Sequence, residues 1–267
     1  MTDRIKYLVE KLNEAAKAYY QEDRELMSNQ EYDALYDELE KLEQETGMVL
    51  AGSPTVTVGY EAVDELPKEA HEKPMLSLDK TKEISRLKEF LGNQKARISW
   101  KLDGLTIVLT YEDGKLTKGV TRGNGEIGEV ITNNAKVFAN LPLNIDFKGQ
   151  LVLRGEAVIS YADFEEINKT ITDENAKYKN PRNLCSGSVR QLNNQITKER
   201  NVRFYAFSLV SAEGVDFKTR EEQMEWLGDQ GFERVTYRKV DGTTLKEHVE
   251  WFANNIESNP IPSDGLV

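Results

Sequence analysis

The sequence predicts an α+β fold: an N-terminal helical hairpin domain followed by a larger domain built on antiparallel sheet. Three observations lead there. Residues 4–20 and 29–45 repeat apolar side chains every three or four positions. From about residue 97 the apolar period shortens to two, and the tight-turn pair Asp113-Gly114 separates two strand-like runs. The later strand candidates are joined by turns or single helices without strict strand–helix–strand alternation, a pattern that favours antiparallel pairing.

The elements follow in order. Ile5, Leu8, Val9, Leu12, Ala15, Ala16 and Tyr19 fall on one face of a first helix. Tyr32, Leu35, Tyr36, Leu39 and Leu42 do so for a second. Ser28 with Glu31 three residues on is a capping box, and Gly47 is a natural stop. Residues 51–80 hold Gly52, Pro54, Gly59, Pro67 and Pro74 and predict a linker or irregular segment. Strands are expected at 97–100, 105–111, 116–121, 151–159 and 202–210. Helices are expected near 82–91, 161–169, 219–230 and 244–256, the last two opened by Thr219 with Glu222 and Thr244 with Glu247. The sequence closes on Asp264-Gly265-Leu266-Val267, a turn running into a new strand. That ending leads us to expect a piece of a longer protein.

Composition narrows the function classes. The chain has 267 residues, 39% apolar and 30% charged, enough for one large domain or two modest ones. No run of 18 apolar residues predicts a membrane helix, and the N-terminus lacks the apolar stretch and cleavage site of a secretory signal. A cytoplasmic protein without membrane partners is expected. One cysteine, Cys185, and two distant histidines, His71 and His248, exclude a four-ligand Cys/His zinc site and an intrachain disulfide. The net charge of -11 argues against bulk electrostatic binding to nucleic acid but leaves room for a local basic patch.

Two segments could carry chemistry. Gly123-Asn124-Gly125-Glu126-Ile127-Gly128 reads G-x-G-x-x-G, and Val130 extends the match to a kinase phosphate loop. The kinase partners His-Arg-Asp and Asp-Phe-Gly are missing, and the segment follows the second arm of a hairpin instead of opening a helix. It reads either as a glycine-rich turn or as a loop bringing Arg122 to a phosphate or ribose. The other segment is Lys101-Leu102-Asp103-Gly104, between two strands. Lysine is a nucleophile only as the free amine, about one part in a few thousand at an ordinary pKa near 10.4 and pH 7. Gly104 would let the backbone pass close to a ligand, and Asp103 could orient a ligand or metal. A surface lysine before a turn is the plain alternative.

The two segments belong to a longer series. Lys101-x-Asp103-Gly104 is followed by Thr121-Arg122-Gly123-Asn124-Gly125, then Leu153-Arg154-Gly155-Glu156, then Asn180-Pro181-Arg182-Asn183 with Ser186-Gly187-Ser188-Val189-Arg190-Gln191, then Asp264-Gly265-Leu266-Val267. This order resembles the covalent nucleotidyltransferases of the DNA ligase and capping-enzyme type, and most closely the adenylation region of bacterial NAD-dependent DNA ligases. Tyr19-Tyr20 and Glu31-Tyr32-Asp33 resemble the small helical domain with which those enzymes hold the nicotinamide mononucleotide half of NAD. A cationic nicotinamide ring suits tyrosine faces and a carboxylate. Plain hairpin packing is the alternative for the tyrosines. His71 to Leu78 resembles the segment lining the family's nucleotide pocket.

The resemblance implies a helical domain over 1–68 and a nucleotidyltransferase domain over 69–267, truncated at its C-terminal end. It implies that Lys101 attacks NAD to form lysyl-AMP with magnesium present, the first step in sealing nicks in duplex DNA. Asp103 and Asp264 are then catalytic. Tyr19, Tyr20, Asn29, Tyr32, Asp33, Ser77, Leu78, Ser99, Arg122, Glu156 and Phe207 bind NAD, with Phe207 stacking on adenine and Arg122 and Glu156 at the adenosine ribose. Arg182 and Arg190 contact phosphate or the DNA backbone, a task that suits a planar guanidinium. A monomer is expected. Ser99, Asn29, Asn124 and Val130 stand where the family usually carries acidic residues. Two rival readings remain: an ATP- or GTP-using nucleotidyltransferase with an unrelated helical leader, and a non-catalytic nucleotide-binding module.

Overall fold

The computed structural model describes residues 2–21, 26–48, 50, 53–55, 66–72, 75, 79–173 and 176–267. The chain divides into two compact units, Met1–Glu65 and Leu66–Val267.

The first unit is an α-helical hairpin of α1 (Thr2–Gln21) and α2 (Asn29–Thr46). Ile5, Leu8, Leu12 and Leu39 are fully buried between them, with Leu35 and Leu42 at the margin. The helical period placed these side chains on facing stripes. The capping box forms as the sequence predicts: Ser28 Oγ accepts from the Glu31 amide, and the Glu31 carboxylate accepts from the Ser28 amide at 2.9 Å. Gly47 ends α2 in the left-handed region at φ 65°, where a side chain would strain the backbone.

The second unit packs helices against three small antiparallel sheets. Its strands are β1 (Lys68–Ala70), β2 (Ala96–Leu102), β3 (Leu105–Glu112), β4 (Lys115–Thr121), β5 (Ile127–Glu129), β6 (Leu151–Val158), β7 (Arg203–Ala212), β8 (Tyr237–Val240) and β9 (Ser263–Leu266). Its helices are α3 (Ile84–Leu91), α4 (Thr132–Ala135), α5 (Tyr161–Thr170), α6 (Pro181–Val189), α7 (Asn194–Glu199), α8 (Arg220–Asp229) and α9 (Leu245–Asn255). The sheets run β4-β3-β6-β7, β8-β2-β9 and β1-β5.

Two cores follow from the alternation of side chains along strands. On the four-stranded sheet, Ile107, Leu109, Tyr111, Leu151, Leu153, Phe204 and Leu209 meet Leu184 and Val189 of α6 and Met224 and Leu227 of α8. On the three-stranded sheet, Ile98 and Trp100 of β2 pack under Phe252 of α9, with the Trp100 and Phe252 rings edge to face at 4.7 Å. The Asp113-Gly114 turn forms with both residues at positive φ, as a two-residue hairpin turn requires.

The structure differs from the sequence reading in several places, among them the unforeseen α7 and β8. The three- and four-residue elements β1, β5 and α4 are too short to give a period; β1 falls inside the expected linker and is stabilised by pairing with β5. Helix α6 shows no clear apolar repeat, yet Asn180 caps it and Pro181 starts it, a start signal in its own right. Thr219 caps α8, but the Glu222 carboxylate accepts from the Lys218 amide. Thr244 does not cap α9; Asp241 Oδ1 accepts from the amides and hydroxyls of Thr243 and Thr244. These four bonds hold the Asp241 carboxyl down at about 2.

Tyr111 is fully buried, and its hydroxyl donates to the Pro142 carbonyl at 2.6 Å. Tyr111→Phe would leave that carbonyl without its partner. The second unit's unfolding free energy should drop by about 1–3 kcal/mol in urea titrations; a change below about 0.5 kcal/mol would show that water reaches the carbonyl.

Candidate functional site

The site begins with the direction of one side chain. Trp100 is buried under α9, so its neighbour Lys101 points to the opposite face of β2. In the β2–β9 pairing Lys101 lies opposite Gly265, and the register shifts so that Leu102 lies opposite Ser263. Asp264 is the extra residue of that bulge, and its Oδ1 lies 2.5 Å from Lys101 Nζ. A bulge re-aims a side chain in this way.

After Leu102 the chain leaves the three-stranded sheet, and at Leu105 it enters the four-stranded one. The link is Asp103-Gly104. A Cβ on Gly104 would sit 1.9 Å from the Ala157 carbonyl oxygen, so only glycine fits between this turn and β6. The Gly104 amide donates to Glu156 Oε1 at 3.2 Å, and the Thr106 hydroxyl donates to Glu156 Oε2 at 2.8 Å. Asp103 turns outward to Arg182, whose Nη1 lies 2.8 Å from Asp103 Oδ1. Arg182 stands in the first turn of α6.

Gly104, Leu105, Thr106, Arg122, Gly123, Asn124, Glu156, Arg182 and Arg190 line a cavity of about 200 Å³. Its lining is polar and carries three arginines around one buried carboxylate. Arg122 also donates from Nη2 to the Met75 carbonyl at 3.3 Å. Arg190 pairs through Nε with Glu129 Oε2 at 2.7 Å.

The glycine-rich segment is a tight turn between β4 and β5. A Cβ on Gly123 would meet the Ile127 carbonyl oxygen at 1.8 Å, and Gly123 and Gly125 have φ of 55° and 98°. Asn124 Oδ1 accepts from the amides of Glu126 and Ile127 at 2.9 and 2.8 Å. The turn closes on itself and delivers Arg122, Gly123 and Asn124 to the cavity rim.

The sequence-derived residues divide accordingly. Lys101, Asp103, Asp264, Arg122, Glu156, Arg182 and Arg190 gather at or beside the cavity. Ser99 lies on β2 with its backbone paired to Val267 and is absent from the cavity lining. Phe207 falls between Ala206, opposite Gly155, and Ser208, opposite Arg154; it is the unpaired residue of a β7 bulge and is exposed. It too is absent from the lining. In the helical unit Tyr32 packs beside the hairpin core and stacks on Tyr36, ring centres 6.4 Å apart. Tyr19 and Tyr20 belong to α1, and Asn29 and Asp33 to α2; their side chains lie outside the described residues, as do Ser77 and Leu78. Sequence reasoning missed Thr106 and Glu129, the partners of Glu156 and Arg190. Thr106 was legible as a strand neighbour of Gly104; Glu129 sits on a strand too short to show a period.

Burial pushes the Glu156 carboxyl up to about 7, against the opposing pull of its bonds from Thr106 and Gly104 and the charges of Arg182 and Lys101. A carboxyl raised on folding binds its proton more tightly in the folded state. Stability therefore falls as pH rises from the unfolded value near 4.5 through 7.

Two family models match the chain. The family model described as the NAD-dependent DNA ligase adenylation domain matches residues 63–267, and that of the DNA ligase-like N-terminal NAD+-binding domain matches 1–59. The chain is 62% identical to a DNA ligase of Ruminiclostridium cellulolyticum, aligning all of this chain to 41% of that protein. It is also 62% identical to one of Lachnoclostridium phytofermentans, over 99% of this chain and 41% of that protein. A DNA ligase of Finegoldia magna is 37% identical over 99% of this chain and 43% of its own length. The chain thus spans about two fifths of the length of these relatives.

Glu156→Gln removes the titration at Glu156. Between pH 5 and 8 the unfolding free energy of wild type should fall relative to this variant by roughly 1–3 kcal/mol. Denaturant titrations at both pH values test this; a difference that stays constant would place the ionisation outside this range.

Proposed function

This chain belongs to the family of NAD-dependent DNA ligase adenylation domains, and we propose that it carries out the adenylation half-reaction of such a ligase. The observation that carries the reading is the cavity where Arg122, Arg182 and Arg190 surround buried Glu156, with Lys101 close enough for its charge to act on that carboxyl. Guanidinium groups suit phosphate oxygens, and a buried carboxylate suits ribose hydroxyls.

In this reading Lys101 Nζ, as the free amine, attacks the phosphorus of the adenylyl group of NAD+. A nitrogen–phosphorus bond forms, the bond from phosphorus to the bridging oxygen breaks, and nicotinamide mononucleotide leaves with that oxygen. The proton lost from Nζ passes to the carboxylate of Asp264, 2.5 Å away. Arg182, held by Asp103, and Arg190 take the phosphate oxygens, Arg122 and Glu156 the adenosine ribose, and Ser99 and Phe207 the adenine. The helical unit holds the nicotinamide mononucleotide half through Tyr19, Tyr20, Asn29, Tyr32 and Asp33, with Ser77 and Leu78 on the nucleotide.

Among the described residues no group of three His, Cys, Asp or Glu side chains converges on a metal position. A magnesium ion would be held mainly by nucleotide phosphate oxygens, as is usual for this ion, with Asp103 and Asp264 as carboxylates beside Lys101. When bound it offsets phosphate charge. In the whole ligase the AMP would pass to the 5′-phosphate at a DNA nick, and the neighbouring 3′-hydroxyl would seal it in replication or repair.

The test is intact-protein mass after incubation with Mg2+ and either NAD+ or ATP. One AMP should be added with NAD+ only, on Lys101, and Lys101→Ala should take up none. An adduct on that variant, or equal labelling by ATP, would sink the reading. For the helical unit, Tyr32→Ala should raise the NAD+ concentration for half-maximal labelling roughly 2- to 30-fold, the range of one cation–π contact. Tyr32→Phe should stay near wild type; if both variants match wild type, the ring has no nicotinamide role.

A further inference from the structure

Arg190 and Glu129 form a pair between two backbones that are each fixed from within. Arg190 is the residue that caps the C-terminus of α6. On either side of it, Thr197 Oγ1 donates to the Ser188 carbonyl at 2.7 Å and Asn134 Nδ2 donates to the Gln191 carbonyl at 2.7 Å. Asn134 Nδ2 also donates to Thr197 Oγ1 at 3.0 Å, and Asn134, Thr197 and Ser188 are all buried. Such a satisfied buried network specifies one arrangement.

Glu129 is held as firmly. Its amide donates to the buried Thr121 hydroxyl at 3.0 Å, its strand pairs with β1, and the next amide, of Val130, donates to the Pro67 carbonyl at 2.7 Å. The pair is made through Nε, the inner nitrogen of the guanidinium, while Arg190 lines the cavity. Surface ion pairs generally contribute little to stability because two mobile side chains must be ordered. Here both backbones are already fixed, so the pair acts on direction more than on stability.

We propose that Glu129 is a positioning residue for anion binding: it grips the inner edge of the Arg190 guanidinium and so aims the outer nitrogens at a phosphate in the cavity. This rests on the nucleotide reading above and adds Glu129 to it. The energetic logic is pre-organisation: a guanidinium ordered before binding loses less rotamer freedom when the phosphate arrives.

A double-mutant cycle tests it, with AMP as the probe and calorimetry as the readout on the full chain. Glu129→Gln should weaken AMP binding about 5- to 20-fold while moving the thermal midpoint little. Glu129→Asp keeps the charge and should recover part of the loss. Arg190→Ala should weaken binding by a similar factor, and Glu129→Gln added to Arg190→Ala should cost nothing more, because Glu129 acts only through Arg190. Additive losses would overturn the proposal, since a general structural role predicts them. Wild-type affinity in Glu129→Gln or in Arg190→Ala would overturn it, and so would failure of wild type to bind millimolar AMP. Failure of the adenylation reading is a separate result, the absence of an AMP adduct on wild type with NAD+, and it leaves the cycle readable.

Discussion

The close passage of β6 behind the Asp103-Gly104 turn is the constraint on which the larger unit depends. The chain crosses from one sheet to the other at this point, and the Ala157 carbonyl leaves no room for a Cβ at residue 104. Because the turn is so tight, the Gly104 amide reaches the carboxylate of Glu156, one residue before Ala157, and pulls a charged group into the sheet interface. The same turn sets where β2 ends, and so sets Lys101 two residues before Asp103. On the other side of Lys101, Trp100 is locked by Phe252. The nucleophile candidate thus stands between an aromatic anchor and a glycine contact, and neither can shift without opening a core.

Electrostatics follow from that placement. Lys101, Arg182 and Arg190 each face a carboxylate, Asp264, Asp103 and Glu129 respectively. A cluster of four cations including Arg122 would repel itself around a small cavity; the carboxylates make it tolerable in a chain whose net charge is -11. Each pair is partly exposed, so each is screened and contributes little to stability. Glu156 is the exception: burial outweighs the pull of its neighbours and raises its carboxyl to about 7.

Much of this was legible in the sequence, and the limits were physical. The helical hairpin, its capping box and the Gly47 stop are local, set by residues within one or two turns. The strands β2, β3, β4, β6 and β7 are long enough to show alternation. The strands that escaped, β1, β5 and β8, are three or four residues long and exist because a distant strand pairs with them, and the helices that escaped, α4, α6 and α7, are short and show no clear apolar period. The site divided in the same way. Residues embedded in the long motif series were found: Arg122, Glu156, Arg182 and Arg190 line the cavity, and Lys101, Asp103 and Asp264 stand beside it. Glu129 and Thr106, which act by orienting other side chains, carry no motif, because what defines them is a partner 61 or 50 positions away.

The glycine-rich turn shows why a motif must be read with its surroundings. Its three glycines answer three backbone collisions, with Ile127, Met75 and Thr121, and not the need to wrap a phosphate. Asn124 supports the same conclusion. Its side-chain oxygen accepts two amides and closes the turn, a task an aspartate would do with an added charge. With an amide there the turn keeps its shape, while the rim beside Arg122 loses one negative charge relative to an aspartate. Less of the arginine's field is then cancelled, and more of it is left for an anion in the cavity. In this geometry Asn124 is a turn-closing residue, and its amide does that task without the charge an aspartate would bring.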